Sequence, residues 1–446
     1  MSSNLVKTIY VKTFGCSLNQ SDSEVMGGLL KEAGFNIMTD YDETSSRELD
    51  YKNIDVVIIN SCTVKNLAES KFFRELRKWK KRNVKILVAG CITQAEPVLL
   101  EGILHDVSVI GTRRLSNVVN IVNQLLVGKI VHDIANDFNE RLNLPKIRKT
   151  GIIEILPISE GCMSNCSFCK TKLARGELLS YPKEKIVAQF KSALVDGCKE
   201  FWITSQDCGC YGFDIYRKEK YFLPQLLDEL LSIEGDFRIR LGMSNPDHID
   251  RIKNDLVKTF RHPKLFKFLH IPVQSGNDKI LRLMKRSYTI KEFYSIINFF
   301  REEIPNICIS TDLIAGFPGE SDEEFDDTLK LIQEARFEVL NFSRFWMRKG
   351  TDAEQMKQLP AGLIKDRTEK IKRLFNKMIE EQNSFWLGKE FKILIDEVGK
   401  NNLVIGRDDY YKQIVVKSSA ESIKLGDFVK VKIVQTKKYV LIAELI

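Results

Sequence analysis

Short apolar runs recur along the first part of this chain, and stretches with a helical apolar period lie between them. Thr8–Thr13 reads as a strand. A helix follows from about Ser21, where a serine ahead of Glu24 has the spacing of a capping box. Asp55–Ile59 is a continuous apolar strand buried on both faces, and Lys85–Ala89 and Val107–Ile110 repeat the pattern. Strands alternating with helices over roughly residues 1–140 predict a parallel α/β sheet. Across 130–150 the apolar period lapses into a basic stretch, which reads as a linker. From 147 to 360 strand and helix alternate again, with strands near Ile152–Ile158, Glu200–Thr204, Arg238–Leu241, Phe266–Ile271, Cys308–Leu313 and Val339–Phe342. Six such units are too few for a closed eight-stranded barrel. Pro360 opens a helical stretch from Leu363 to about Gln382. Its cations, Lys365, Arg367, Lys370, Lys372 and Arg373, read as a solvated face. Beyond 388 the period changes once more. Phe391–Ile395, Gln413–Val416 and Phe428–Val434 are short alternating strands split by Gly and charged turns, the pattern of a small β-barrel.

Length and charge add bounds to this outline. At 446 residues, three domains are expected. The formal charge of +8 suits a polyanionic partner such as RNA without demanding one. No apolar run approaches the roughly 20 residues of a membrane helix, and the N-terminus lacks signal-peptide architecture. With the last strand ending the sequence at Ile446, a soluble chain is expected. Ten cysteines in so long a chain suggest metal or catalysis rather than disulfides, and point to a reducing, cytoplasmic setting.

The cysteines carry the chemistry. Cys162, Cys166 and Cys169 stand at C-x3-C-x2-C spacing after the strand Ile152–Ile158 and a glycine. A cubane [4Fe–4S] cluster normally takes four thiolates, so three without a neighbouring fourth leave one iron open. The competing reading is zinc, which usually pairs two C-x2-C hooks; Cys208-Gly-Cys210 does not have the spacing of a second hook. Cys16, Cys62 and Cys91 each follow a strand of the first sheet. Carboxyl ends of strands line the crevice of an open α/β sheet, so three thiols there can converge on a second cluster. Cys198, Cys208, Cys210 and Cys308 read as non-ligands, Cys308 as core.

The segment "GCMSNCSFCKTKLARG" resembles the cysteine motif of the radical S-adenosylmethionine (SAM) enzymes. In that family the amino and carboxylate groups of SAM chelate the open iron. "TFGCSLNQSDSE", "NSCTVKN" and "VAGCITQAEP" resemble the N-terminal domain of the methylthiotransferases, most of all the eukaryotic and archaeal branch acting on threonylcarbamoyladenosine in tRNA. The resemblance covers nearly the whole chain. It implies a Rossmann-like domain over 1–140, a (β/α)6 partial TIM barrel over 147–382 and an all-β TRAM module over 383–446. The last has 11 Lys plus Arg against 8 Asp plus Glu, a modest basic bias.

The same resemblance implies two [4Fe–4S] clusters and SAM. It places Ser205 and Asp207 toward the methionyl group and cluster, Gln274 and Ser275 near the ribose or the bound thiol, and Asp312 by the glycines that pass the adenine. The family usually has Thr where Cys208 stands. Lys170, Lys172 and Arg175 follow the motif closely and are candidates for the carboxylate of threonylcarbamoyl. The implied reaction is methylthiolation of threonylcarbamoyladenosine at position 37 of the anticodon loop. An electron donor and a sulfur source are needed, a monomer is expected, and no membrane is involved. Isopentenyladenosine, a ribosomal-protein side chain, or a non-catalytic iron–sulfur RNA-binding role are the competing readings.

Overall fold

The computed structural model describes residues 6–40, 53–63, 66–96, 98–135, 141–399, 403–417 and 423–446. The first layer is a six-stranded sheet. Its strands are β1 (Thr8–Thr13), β2 (Asn36–Thr39), β3 (Val56–Ser61), β4 (Lys85–Gly90), β5 (Ser108–Ile110) and β6 (His132–Asp133). They run in the order β2-β1-β3-β4-β5-β6, all parallel. β3 is buried at every position, so helices must cover both faces, as its unbroken apolar run requires.

The helix after β1 runs Ser17–Glu32 and begins one turn earlier than the capping-box spacing predicts; Cys16 occupies the N-cap with no side-chain cap bond. Ser21 lies inside the helix, and its hydroxyl reaches the carbonyl of Ile155 at 3.5 Å. The polar face of this helix is buried against the second domain: Asn19, Asp22, Ser23 and Glu24 are all buried. The stretch read as a linker is also tied down. β6 pairs with β5, and Arg141 is buried between Asp22 at 2.8 Å and Glu160 at 2.6 Å. Lys146 and Arg148 both close on the buried Glu154. Residues 136–140 of that stretch lie outside the described residues.

In the second domain β7 (Ile153–Pro157) is followed by a short ribbon of β8 (Ser159–Glu160) and β9 (Leu179–Ser180). Then come β10 (Glu200–Thr204), β11 (Arg238–Leu241), β12 (Phe268–His270), β13 (Cys308–Ala315) and β14 (Val339–Arg344). β7, β10 and β11 pair in parallel, as do β12, β13 and β14; backbone bonds from Ile239 to Lys264 and from Phe266 to Ile239 join the two halves. Six parallel strands thus curve into an open half-barrel. Phe201, Ile203, Ile239, Leu241, Leu269, Ile309 and Leu313 point outward into the helical core. By strand alternation Glu200, Trp202, Arg238, Arg240, Phe268, His270, Ser310 and Asp312 face the lumen.

The helix Ala361–Ser384 packs on this domain, and Arg367 is not on its solvated face. It is 2% exposed and bonds Glu320 and Asp322, while Lys365, Lys370, Lys372 and Arg373 are exposed. The C-terminal strands β15 (Glu390–Val398), β16 (Val404–Arg407), β17 (Gln413–Val416), β18 (Phe428–Thr436) and β19 (Leu441–Leu445) close a barrel in the order β15-β16-β17-β19-β18. Its β16–β17 turn closes the floor of the half-barrel. Tyr411 lies with its ring 4.9 Å from Phe266 and 5.2 Å from Phe268.

Candidate iron–sulfur and S-adenosylmethionine site

Cys16, Cys62 and Cys91 sit at the carboxyl ends of the adjacent strands β1, β3 and β4. Asn19 lies among them, with its Oδ1 3.8 Å from the Cys16 sulfur and 3.6 Å from that of Cys91. The backbone is drawn tight here. Gly15 has φ +118°, and a Cβ on it would meet the Cβ of Cys62 at 2.8 Å. Burial pushes the Cys91 thiol up to about 12, with Arg175 opposing and Cys16 and Cys62 adding to the shift. Cys16 is the exposed member. It opens into a cavity of about 290 Å³ that Ser17, Gln20, Asp40, Lys149 and Trp202 also line.

Cys162, Cys166 and Cys169 lie on the loop between β8 and the helix Lys170–Arg175. Gly161 must be glycine, because its φ is +70° and a Cβ would lie 1.9 Å from the Glu177 carbonyl. Ser167 ties the loop to the half-barrel through bonds to the carbonyls of Met284 and Leu283. Arg286 donates to the Cys166 sulfur at 3.1 Å and to the Oδ1 of Asn245 at 2.6 Å. Asn245 in turn reaches the Cys162 sulfur at 3.9 Å. Burial and then the Asp207 charge push Cys162 up to about 12.

These donor sets fit clusters better than single ions. Four-coordinate zinc holds sulfurs roughly 3.8 Å apart, from its Zn–S length of about 2.3 Å. Neither triad gathers its three sulfurs within 4.8 Å of one another; among the described residues only Asp207, Cys210 and His248 form so close a ligand group. That group has no free face for an ion, because the Asp207 carboxylate already accepts from Gly209 and Asn245 backbone N–H, the Asn245 amide and His248. Buried thiols with raised pKa values need a compensating positive charge to ionise, and iron supplies it.

The other expected site residues divide. Ser205 lies beside the motif, its Oγ 2.7 Å from that of Ser159. Gln274 adopts φ 74° and bridges to β13 through backbone bonds with Asp312 and Ile314. Asp312 faces the lumen with His270 at 3.1 Å and Asn341 at 2.9 Å. Asp207 is fully buried and orients Asn245 and His248 instead of facing open space. Ser275 is also fully buried, its hydroxyl spent on the Asn277 N–H.

The three cations after the motif all bond protein partners. Lys170 is buried on Glu96 and the Lys349 carbonyl, Lys172 bonds Glu177 and the Cys162 carbonyl, and Arg175 is enclosed by Asp22, Glu160 and Asn19. Lys170 and Arg175 are buried on these partners, while Lys172 is half-buried beside the exposed Glu177. Arg286, His248 and Asn19 escaped sequence reasoning, since no local pattern sets them apart. In the sequence Asn245 is marked only as a polar residue soon after the strand Arg238–Leu241.

Comparison with known proteins agrees with this geometry. The Radical SAM superfamily matches residues 156–332, the uncharacterized protein family UPF0004 matches 8–111, and the TRAM domain matches 386–446. The Homo sapiens threonylcarbamoyladenosine tRNA methylthiotransferase is 37% identical over 444 residues, 97% of this chain and 73% of that protein. The Danio rerio protein of the same name is 36% identical over 97% of this chain and 77% of its own length. In fold the chain is similar to a radical SAM methyltransferase from Kitasatospora setae solved with tryptophan and a SAM analogue. The TM-score is 0.53 at 14% identity, covering 76% of this chain and 73% of that one. With these relatives matched over nearly its whole length, the chain belongs to the threonylcarbamoyladenosine tRNA methylthiotransferase family.

Proposed function

We propose that this protein converts N6-threonylcarbamoyladenosine at position 37 of the tRNA anticodon loop to its 2-methylthio derivative. The observation that carries this reading is the pairing of two three-cysteine centres at one domain junction. Cys162, Cys166 and Cys169 would hold one [4Fe–4S] cluster, and Cys16, Cys62 and Cys91 the other. When bound, the two clusters and two SAM molecules supply a 5′-deoxyadenosyl radical, a sulfur atom and a methyl group.

The chain's own residues do the positioning. Arg286 donates to the Cys166 sulfur and fixes Asn245 beside Cys162. Asp207 locks Asn245 and His248 from below, so the wall facing the motif is rigid. Ser17, next to Cys16, bonds Thr204 at the end of β10 at 2.8 Å, holding the first domain over the lumen mouth. The exposed Cys16 and the cavity beside Trp202 give a substrate base access to the N-terminal centre.

The closed C-terminal barrel and the exposed lysines of the helix Ala361–Ser384 suit the anticodon stem-loop. A monomer served by an external electron donor and sulfur source, working in the cytoplasm, completes the proposal. No helix among the described residues is long and apolar enough to cross a membrane. The test is anaerobic: reconstituted protein, reductant and SAM should yield 5′-deoxyadenosine. A protein that binds iron and tRNA yet leaves SAM intact would refute the catalytic reading.

A further inference from the structure

Lys170 and Arg175 are buried on carboxylates and Lys172 pairs with Glu177, so a substrate carboxylate is better matched by a cation without such a partner. Among the described residues, one guanidinium in the lumen has no counter-charge. Arg240, on β11, makes no ion pair or hydrogen bond among the described residues, and its Nε is buried without a partner. Three rings surround it: Trp202 at 6.0 Å, Phe268 at 5.3 Å and Tyr411 at 5.5 Å from its Cζ. Aromatic faces hold a guanidinium in place but neutralise little of its charge. The lumen carboxylates are committed to other groups. Asp312 is bonded to His270 and Asn341, Glu200 to the Trp202 indole, and Asp396 of the C-terminal barrel to Arg407.

Arg240 also lies where a substrate arm can reach. It pairs in register with Trp202, and Trp202 lines the cavity that holds Cys16. Two residues beyond Trp202 on β10, Thr204 bonds Ser17 at the lumen mouth. The other cation of that cavity, Lys149, already has a partner.

Resting on the function proposed above, we infer that Arg240 is the specificity-determining residue that receives the carboxylate of the threonylcarbamoyl group. The base sits at the Cys16 cavity, and its N6 arm descends past Trp202. The planar guanidinium donates two parallel N–H···O bonds to the carboxylate in a site walled by aromatic rings. An apolar isopentenyl arm leaves that cation unpaired, which selects against it.

The test measures equilibrium binding of the full-length, cluster-reconstituted protein to two anticodon stem-loops. One carries threonylcarbamoyladenosine as the free acid, the other as its neutral methylamide. The wild-type chain is expected to favour the acid by at least about tenfold. Arg240→Gln should lower acid affinity to that of the amide, and Arg240→Lys should retain part of the preference. An unchanged acid-to-amide ratio in Arg240→Gln overturns the inference, as does a wild-type chain with no preference. Because Arg240 also supports Tyr411, melting curves accompany each variant. If Arg240→Gln does not fold, a full acid preference in Arg240→Lys is the overturning result and a reduced one the supporting result. Binding is read separately from turnover, so failure to methylthiolate rejects the proposed reaction while the ratio still judges Arg240.

Discussion

Arg175 donates to Asp22 at 2.7 Å, an ion pair that, together with Lys170 on Glu96, ties the two cysteine centres together. Arg175 ends the helix that follows Cys169, and Asp22 lies in the helix that follows Cys16. The same guanidinium bonds Asn19, whose carbonyl oxygen faces the sulfurs of Cys16 and Cys91. Spacing between the centres is therefore fixed by buried charge as well as by backbone.

Arg175→Ala should destabilise the protein by about 3–5 kcal/mol, because Asp22 and Glu160 would be left buried with a missing cation. Arg141 still contacts both and sets the lower end of that range. Denaturant unfolding of the reconstituted protein measures the loss. A change within the range of ordinary surface substitutions would show that the junction does not depend on this pair.

Stability should fall as pH rises through neutrality. Glu200 is buried at the floor of the half-barrel; burial and the facing Asp396 push its carboxyl from 4.5 up to about 7, against Trp202, Arg407 and Tyr411. Between those two values the folded chain keeps a proton that the unfolded chain has released, so folding weakens with each step up in pH. Above about 7 both states are ionised and the penalty is complete. Glu24, pushed up to about 7, and Asp408, pushed up to about 6, add to the same slope, so Glu200→Gln should make the melting-temperature profile shallower between about pH 5 and pH 8 without levelling it. An equally steep profile in that variant would place the titration elsewhere.

Much of this was legible in the chain. Strand alternation places Cys16, Cys62 and Cys91 at neighbouring strand ends, and the motif spacing marks the second centre. What sequence misplaces is polarity whose partner is remote. Asn19, Asp22 and Glu24 look like the solvated face of a helix, but a second domain covers them. Lys170 and Arg175 look like free cations, but Glu96 and Asp22 hold them. Arg240 looks like an ordinary strand charge, because nothing local reveals that β11 turns it into a lumen floored by a residue of the last domain.

Iron content tests the two centres. Anaerobic reconstitution should load about eight irons per chain. Replacing Cys162, Cys166 and Cys169 together should leave about half, with the remainder held by the N-terminal triad. A plateau near four in the intact protein would remove one centre from the account.

Cys62→Ala should block the methylthio product while SAM cleavage to 5′-deoxyadenosine continues at a reduced rate. Cys62 is 3% exposed and close to Gly15, so a melting curve of the variant separates loss of sulfur handling from unfolding of the sheet. Normal product from this variant would mean that the N-terminal triad does not handle sulfur.

The modified base is tested most directly by a competition between two substrates. Anticodon stem-loops carrying threonylcarbamoyladenosine and isopentenyladenosine are mixed with reconstituted protein, SAM, reductant and a sulfide source, and the nucleosides are weighed by mass spectrometry. The expected result is a methylthio group gained by the threonylcarbamoyl base and little or none by its competitor. Methylthiolation of the isopentenyl base alone, or of neither, would contradict it.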